Sequence, residues 1–104
     1  MIGYIYKLTS PKTDIIYIGS TVQKLSVRLS KHKHDYKRYL NKNYNYVSSF
    51  QVVKYDDAQI ELIEQFEYDN RKDLLNLEGM HIIRNNLKQK VAGGRKNILK
   101  LMQN

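Results

Sequence analysis

Hydrophobic and polar positions alternate at the start of the chain. Over residues 2–8, tyrosine, isoleucine and leucine alternate with smaller or polar residues, the period of a strand with one buried face. Ser10-Pro11-Lys12-Thr13-Asp14 breaks the pattern with residues that fix or locally bond the backbone, and so reads as a turn. Ile15 to Gly19 is a second strand, and the short link predicts an antiparallel hairpin. The period then lengthens. Leu25, Leu29, His32, Tyr36 and Leu40 fall on one face of a helix over residues 23–41. Arg28 and His32, four apart, stack at the edge of that stripe. Asn41 to Asn45 is a polar loop, and Val47 to Lys54 reads as a short helix. Alternation returns from Ala58 to Tyr68, with Ile60, Leu62, Glu64 and Phe66 set against Glu61, Ile63 and Gln65, which predicts a third strand. Asn70, with Asp73 three residues on, caps a helix to about Asn86 whose face carries Leu74, Leu77, His81, Ile82 and Asn85. The tail beyond, with Gly93-Gly94, reads as looped and basic from about residue 87.

The resulting order, β-β-α-(α)-β-α, is that of an α+β domain. At 104 residues the chain is expected to form one domain over 1–104, with a modest core that needs no staples. It has no cysteine, which removes disulfide frameworks and thiolate metal sites and fits a reducing, cytoplasmic setting. No apolar run is long enough to cross a bilayer, and no signal peptide is visible.

Charge narrows the partners. The formal net charge is +8, and the charges are sorted along the chain. Seven basic residues and one acid, Asp35, lie from Lys24 to Lys42; six basic residues and no acid lie from Arg84 to the end; eight of the ten acids lie between Asp56 and Glu78. Basic stretches around an acidic middle point to a polyanionic partner, most simply nucleic acid.

Glu78 is the odd residue in its helix, a carboxylate inside an apolar arc between Leu74 and Ile82. Burial there is costly unless it is offset. Three solutions are open: an ion pair to Arg28 or His81, protonation, or a hard divalent cation that takes one carboxylate oxygen and keeps most of its waters. Arg28 offers a permanently charged planar fork suited to phosphate. His32 is better placed than His34, which points away from the apolar face. Tyr4, Tyr6 and Tyr17, taken singly, read as packing residues of a sheet.

Taken in order, these residues form a set. Tyr4-Ile5-Tyr6, ten residues, then Tyr17-Ile18-Gly19 followed by Ser20-Thr21, resembles the signature of the GIY-YIG nuclease superfamily. Arg28-Leu29-Ser30-Lys31-His32 resembles its arginine-x3-histidine helix, and Leu77-Glu78-Gly79-Met80-His81-Ile82-Ile83 its glutamate helix. The resemblance covers nearly the whole chain. It implies an α/β sandwich with a small three-stranded antiparallel sheet flanked by helices, and divalent-metal-dependent hydrolysis of DNA with Mg²⁺ or Mn²⁺. It also implies roles: Glu78 for the metal; Arg28 for the scissile phosphate; Tyr6 as general base or water-orienting group; Tyr17 holding water or phosphate; His32 relaying a proton or positioning Tyr6. Tyr4, Gly19, Lys31, Arg38, Gln89 and Arg95 are the expected substrate contacts. Two positions depart from the pattern. Tyr4 stands where the name has glycine, and Gln89 stands near where an asparagine is usual.

The same set carries rival readings. One is a nucleic-acid-binding module that has lost catalysis, to which Gln89 inclines. Another is a structure-selective repair nuclease directed by a partner. With no separate targeting domain in view, selectivity would come from the basic surfaces, a homodimer or a targeting partner, and low sequence specificity is expected.

Overall fold

In the computed structural model, residues 1–86 and 91–93 are described. They form strands β1 (Ile2–Ser10) and β2 (Thr13–Thr21), helices α1 (Leu25–Leu40) and α2 (Phe50–Val53), strand β3 (Gln59–Glu67), helix α3 (Arg71–Asn86) and strand β4 (Val91–Gly93). The expected hairpin and the β-β-α-α-β-α order are present. β1 pairs antiparallel with both β2 and β3, and this is the expected three-stranded antiparallel sheet. The sheet order is β3-β1-β2-β4.

β4 is an addition. The sequence predicts a looped tail at Val91–Gly93, but these residues run parallel to β2, with Ile16, Tyr17 and Ile18 opposite Val91, Ala92 and Gly93. Three residues are too few to display a period. The pairing stops at Ile18, so Gly19, Ser20 and Thr21 extend past the last partner that β4 provides.

Alternation on β1 and β2 buries two opposite faces. Tyr6, Leu8 and Tyr17 pack with Phe50, Val52 and Val53, and Leu25, Leu29 and Tyr36 of α1 lie against them. Ile5, Ile16 and Ile18 pack on the other face with Tyr68, Leu74 and Ile82. The sheet is thus the middle layer, with α1 and α2 on one side and α3 on the other. Gly3 lets α3 approach, because a β-carbon there would lie 2.8 Å from both methyl carbons of Leu74.

Two details depart from simple periodicity. β3 contains a bulge, since Ile5 faces Glu64 but Tyr6 faces Leu62, leaving Ile63 as the extra residue. The expected single face of Ile60, Leu62, Glu64 and Phe66 is therefore split. Ile60 packs with the Tyr6 cluster, while Ile63 and Phe66 pack with the Ile5 cluster. On α1, Leu40 is exposed and Tyr39 takes its expected place. Tyr39 stacks on Tyr36 and lies 5.2 Å, ring to ring, from Phe50 of α2. The third detail agrees with the sequence: Asn70 caps α3 as expected, its Oδ1 accepting from the amides of Lys72 and Asp73.

Candidate active site

The hairpin register places Tyr6 opposite Gly19. A β-carbon on residue 19 would lie 2.6 Å from the Tyr6 hydroxyl and 2.8 Å from Cε1 of Tyr17. Glycine here makes room for the two phenol rings, which lie 6.2 Å apart and tilted. Tyr6 is completely buried and Tyr17 nearly so.

α1 supplies the next two groups from its buried edge. His32 Nε2 lies 2.7 Å from the Tyr6 hydroxyl, and Arg28 Nε donates to the same oxygen at 3.2 Å. The i, i+4 spacing on one helix brings both groups to one phenol. His32 Nδ1 lies 3.1 Å from Oγ of Ser49, which is fully buried just before α2. His32 also meets the edge of the Tyr17 ring at 5.4 Å. Arg28, Tyr6, His32 and Ser49 thus form one continuous chain of hydrogen bonds.

The electrostatics decide protonation within this chain. Burial, with the Arg28 charge adding to it, lowers the His32 pKa to about 4, so the imidazole is neutral at pH 7. Burial raises the Tyr6 pKa, and the Arg28 charge and hydrogen bond oppose that rise. Burial raises the Tyr17 pKa strongly, and the neighbouring Tyr6 and Glu78 raise it further. Both phenols are neutral. With Arg28 donating to the Tyr6 oxygen, the Tyr6 proton points to His32 Nε2, and Nδ1–H then donates to Ser49.

Glu78 comes from α3, on the other side of the sheet, and is buried. Ser20 Oγ donates to its Oε2. Ser20 lies one residue past Gly19, beyond the reach of β4, so Glu78 meets the strand where Tyr6 also sits. Of the two ion-pair partners expected for Glu78, His81 pairs instead with Glu64 of β3 at 2.8 Å. Among the described residues, no group of three or more histidines, aspartates and glutamates converges to hold a metal. A cleft of about 260 Å³ opens at this end of the sheet, and both Ser20 and Arg28 line it.

The five expected catalytic residues lie on four elements, β1, β2, α1 and α3. The expected substrate contacts lie in different settings. Tyr4 is half-buried on β1, opposite Thr21. Gly19 is buried under the phenols. Lys31 and Arg38 flank the buried Asp35, at 3.3 and 4.0 Å, and Arg38 also lies over the Tyr44 ring at 4.9 Å. Gln89 and Arg95 lie outside the described residues. Ser49 and Ser20 were not read from the sequence. Ser20 lies within the quoted motif, whereas Ser49, the second of the pair Ser48-Ser49, carries no spacing that would mark it.

A family model described as the GIY-YIG catalytic domain matches residues 2–90. Neither a curated protein nor a solved structure matches the chain significantly.

Proposed function

The chain belongs to the GIY-YIG catalytic domain family, a family of nucleases, and on that premise we propose that it is a divalent-metal-dependent DNA endonuclease of low intrinsic sequence specificity. The observation that supports this most is the single hydrogen-bonded chain Arg28–Tyr6–His32, set at the same sheet end as the buried Glu78. A packing tyrosine needs neither a guanidinium nor a neutral imidazole on its hydroxyl.

Each group has a role that follows from its state. Arg28 binds the scissile phosphate, because its planar fork matches phosphate oxygens and its charge stabilises the charge that builds up on them. Tyr6 takes the proton of the attacking water. An ordinary phenol, with a pKa of about 10, is a poor base at pH 7, and burial makes it poorer. The neutral His32 removes that obstacle by accepting the Tyr6 proton as the water proton arrives, so no free phenolate need accumulate. Arg28 covers the Tyr6 hydroxyl in this state. Water therefore reaches the phenol as the phosphate draws the guanidinium toward the cleft. Tyr17, the more strongly protonated phenol, acts as a hydrogen-bond donor.

The oxygen chemistry of Glu78 and Ser20 fits a hard cation such as Mg²⁺ or Mn²⁺, and Glu78 would hold it. One carboxylate leaves most of the coordination to water and substrate phosphate, in keeping with the lack of a three-residue cluster among the described residues. When bound, the ion would offset charge on the phosphate and the leaving oxygen.

Nicking of supercoiled plasmid with Mg²⁺ or Mn²⁺ tests this. Wild type should nick only with metal, and Glu78→Gln should lose at least about 10²-fold in rate while keeping its fold. Equal nicking by both proteins, or none by either on plasmid and flap DNA, would overturn the proposal.

A further inference from the structure

The cleft beside Arg28 has a second wall. It is lined by Thr21 at the end of β2 and Gln23 after it, by Arg28 of α1, and by Tyr68, Arg71 and Leu74 where β3 gives way to α3. Its volume, about 260 Å³, lies at the lower end of small-molecule sites. A cleft of this size has room for about one sugar-phosphate unit of a longer strand. Its chemistry is mixed in a way that suits a sugar-phosphate backbone: two arginines for anionic oxygens, the hydroxyl residues Ser20, Thr21 and Tyr68 and the amide of Gln23 for polar contacts, and the apolar side chain of Leu74 for a sugar face.

Several described cations are committed to carboxylates. Lys7 pairs with Glu61, Lys12 with Asp56 and Asp57, and Lys31 and Arg38 with Asp35. No carboxylate among the described residues pairs with Arg71, and it is exposed on the cleft wall. We infer that this cleft seats the cleaved strand, with Arg71 holding a phosphate next to the one held by Arg28. The inference rests on the nuclease reading above and extends it from the bond that is cut to the strand that carries it. A phosphate contact of this kind fixes register and carries no base preference.

Binding can be tested without cutting. Labelled duplex DNA is titrated with the Glu78→Gln protein over a series of KCl concentrations, by fluorescence anisotropy. Arg71→Ala, Arg71→Lys and Lys72→Ala are then compared in that background, with circular dichroism to check each fold. Lys72 is the exposed neighbour that does not line the cleft. Arg71→Ala should weaken binding and lower the slope of log affinity against log salt by about one. Arg71→Lys should keep the slope, and Lys72→Ala should change it less than Arg71→Ala. Equal effects at 71 and 72, or none at 71, would overturn the inference and leave wild-type nicking intact. Loss of wild-type nicking would instead remove the reading on which it rests.

Discussion

Substituting Gly19 by alanine isolates the geometry of the site from its chemistry, because it removes no functional group. The new methyl would sit 2.6 Å from the Tyr6 hydroxyl and 2.8 Å from Cζ of Tyr6, where ordinary contact begins near 3.4 Å. The phenol oxygen would have to retreat by about 0.8 Å, which approaches the 1 Å displacement that costs roughly 10²-fold in rate. It has nowhere easy to go. Tyr6 is completely buried and its hydroxyl is held by His32 at 2.7 Å and Arg28 at 3.2 Å. Overpacking of a filled core costs about 1–3 kcal/mol, so Gly19→Ala should remain folded but lose about 10²-fold in plasmid nicking. Gly3→Ala is the control. Its methyl meets the Leu74 side chain at 2.8 Å, away from the Tyr6 hydroxyl. It should lose comparable stability in urea denaturation but less nicking rate than Gly19→Ala, because Leu74 and Tyr68 line the cleft without touching the Tyr6 hydroxyl. Near-wild-type nicking by Gly19→Ala, or an equal loss in Gly3→Ala, would refute the argument that Gly19 serves Tyr6.

Two more predictions follow from the same chain of bonds. The pKa of His32 falls from 6.5 to about 4 on folding, mainly through burial, so below pH 6.5 the unfolded chain binds the proton first. His32 is neutral in both states above about pH 6.5, and folding becomes less favourable as pH falls from there toward 4. The loss amounts to at most about 3 kcal/mol, and urea denaturation of wild type should show this window while His32→Gln lacks it. Ser49→Ala strips the buried partner from His32 Nδ1 and should cost about 1–3 kcal/mol. It should also slow nicking by releasing the imidazole tautomer, and Ser49→Thr should recover part of both in denaturation and nicking assays.

The longer elements were legible because each is long enough to show its period. β1 and β2 alternate, α1 and α3 repeat at helical spacing, and Asn70 marks a helix start. β4 was not legible, because three residues show no period. The bulge at Ile63 was hidden for another reason: alternation along one strand does not reveal the register of its partner, and the bulge exists only in the pairing with β1. The preference for Tyr39 over Leu40 depends on Phe50, eleven residues from Tyr39 in sequence. For the candidate site, tyrosine, arginine, histidine and glutamate stood out by type and spacing. The serines that orient His32 and Glu78 did not, since a hydroxyl in a loop or at a strand end has many ordinary uses.

The outer strand of the sheet bears on self-association. β3 lies at one border of the sheet, and its nine residues present Glu61, Glu64 and Glu67 as exposed side chains. Two copies laying these strands side by side would bring like charges into register, which weakens such pairing. The bulge at Ile63 further interrupts the straight ladder that a second strand would need. The carboxylates that make the middle of this chain acidic thus work against edge-to-edge stacking along β3.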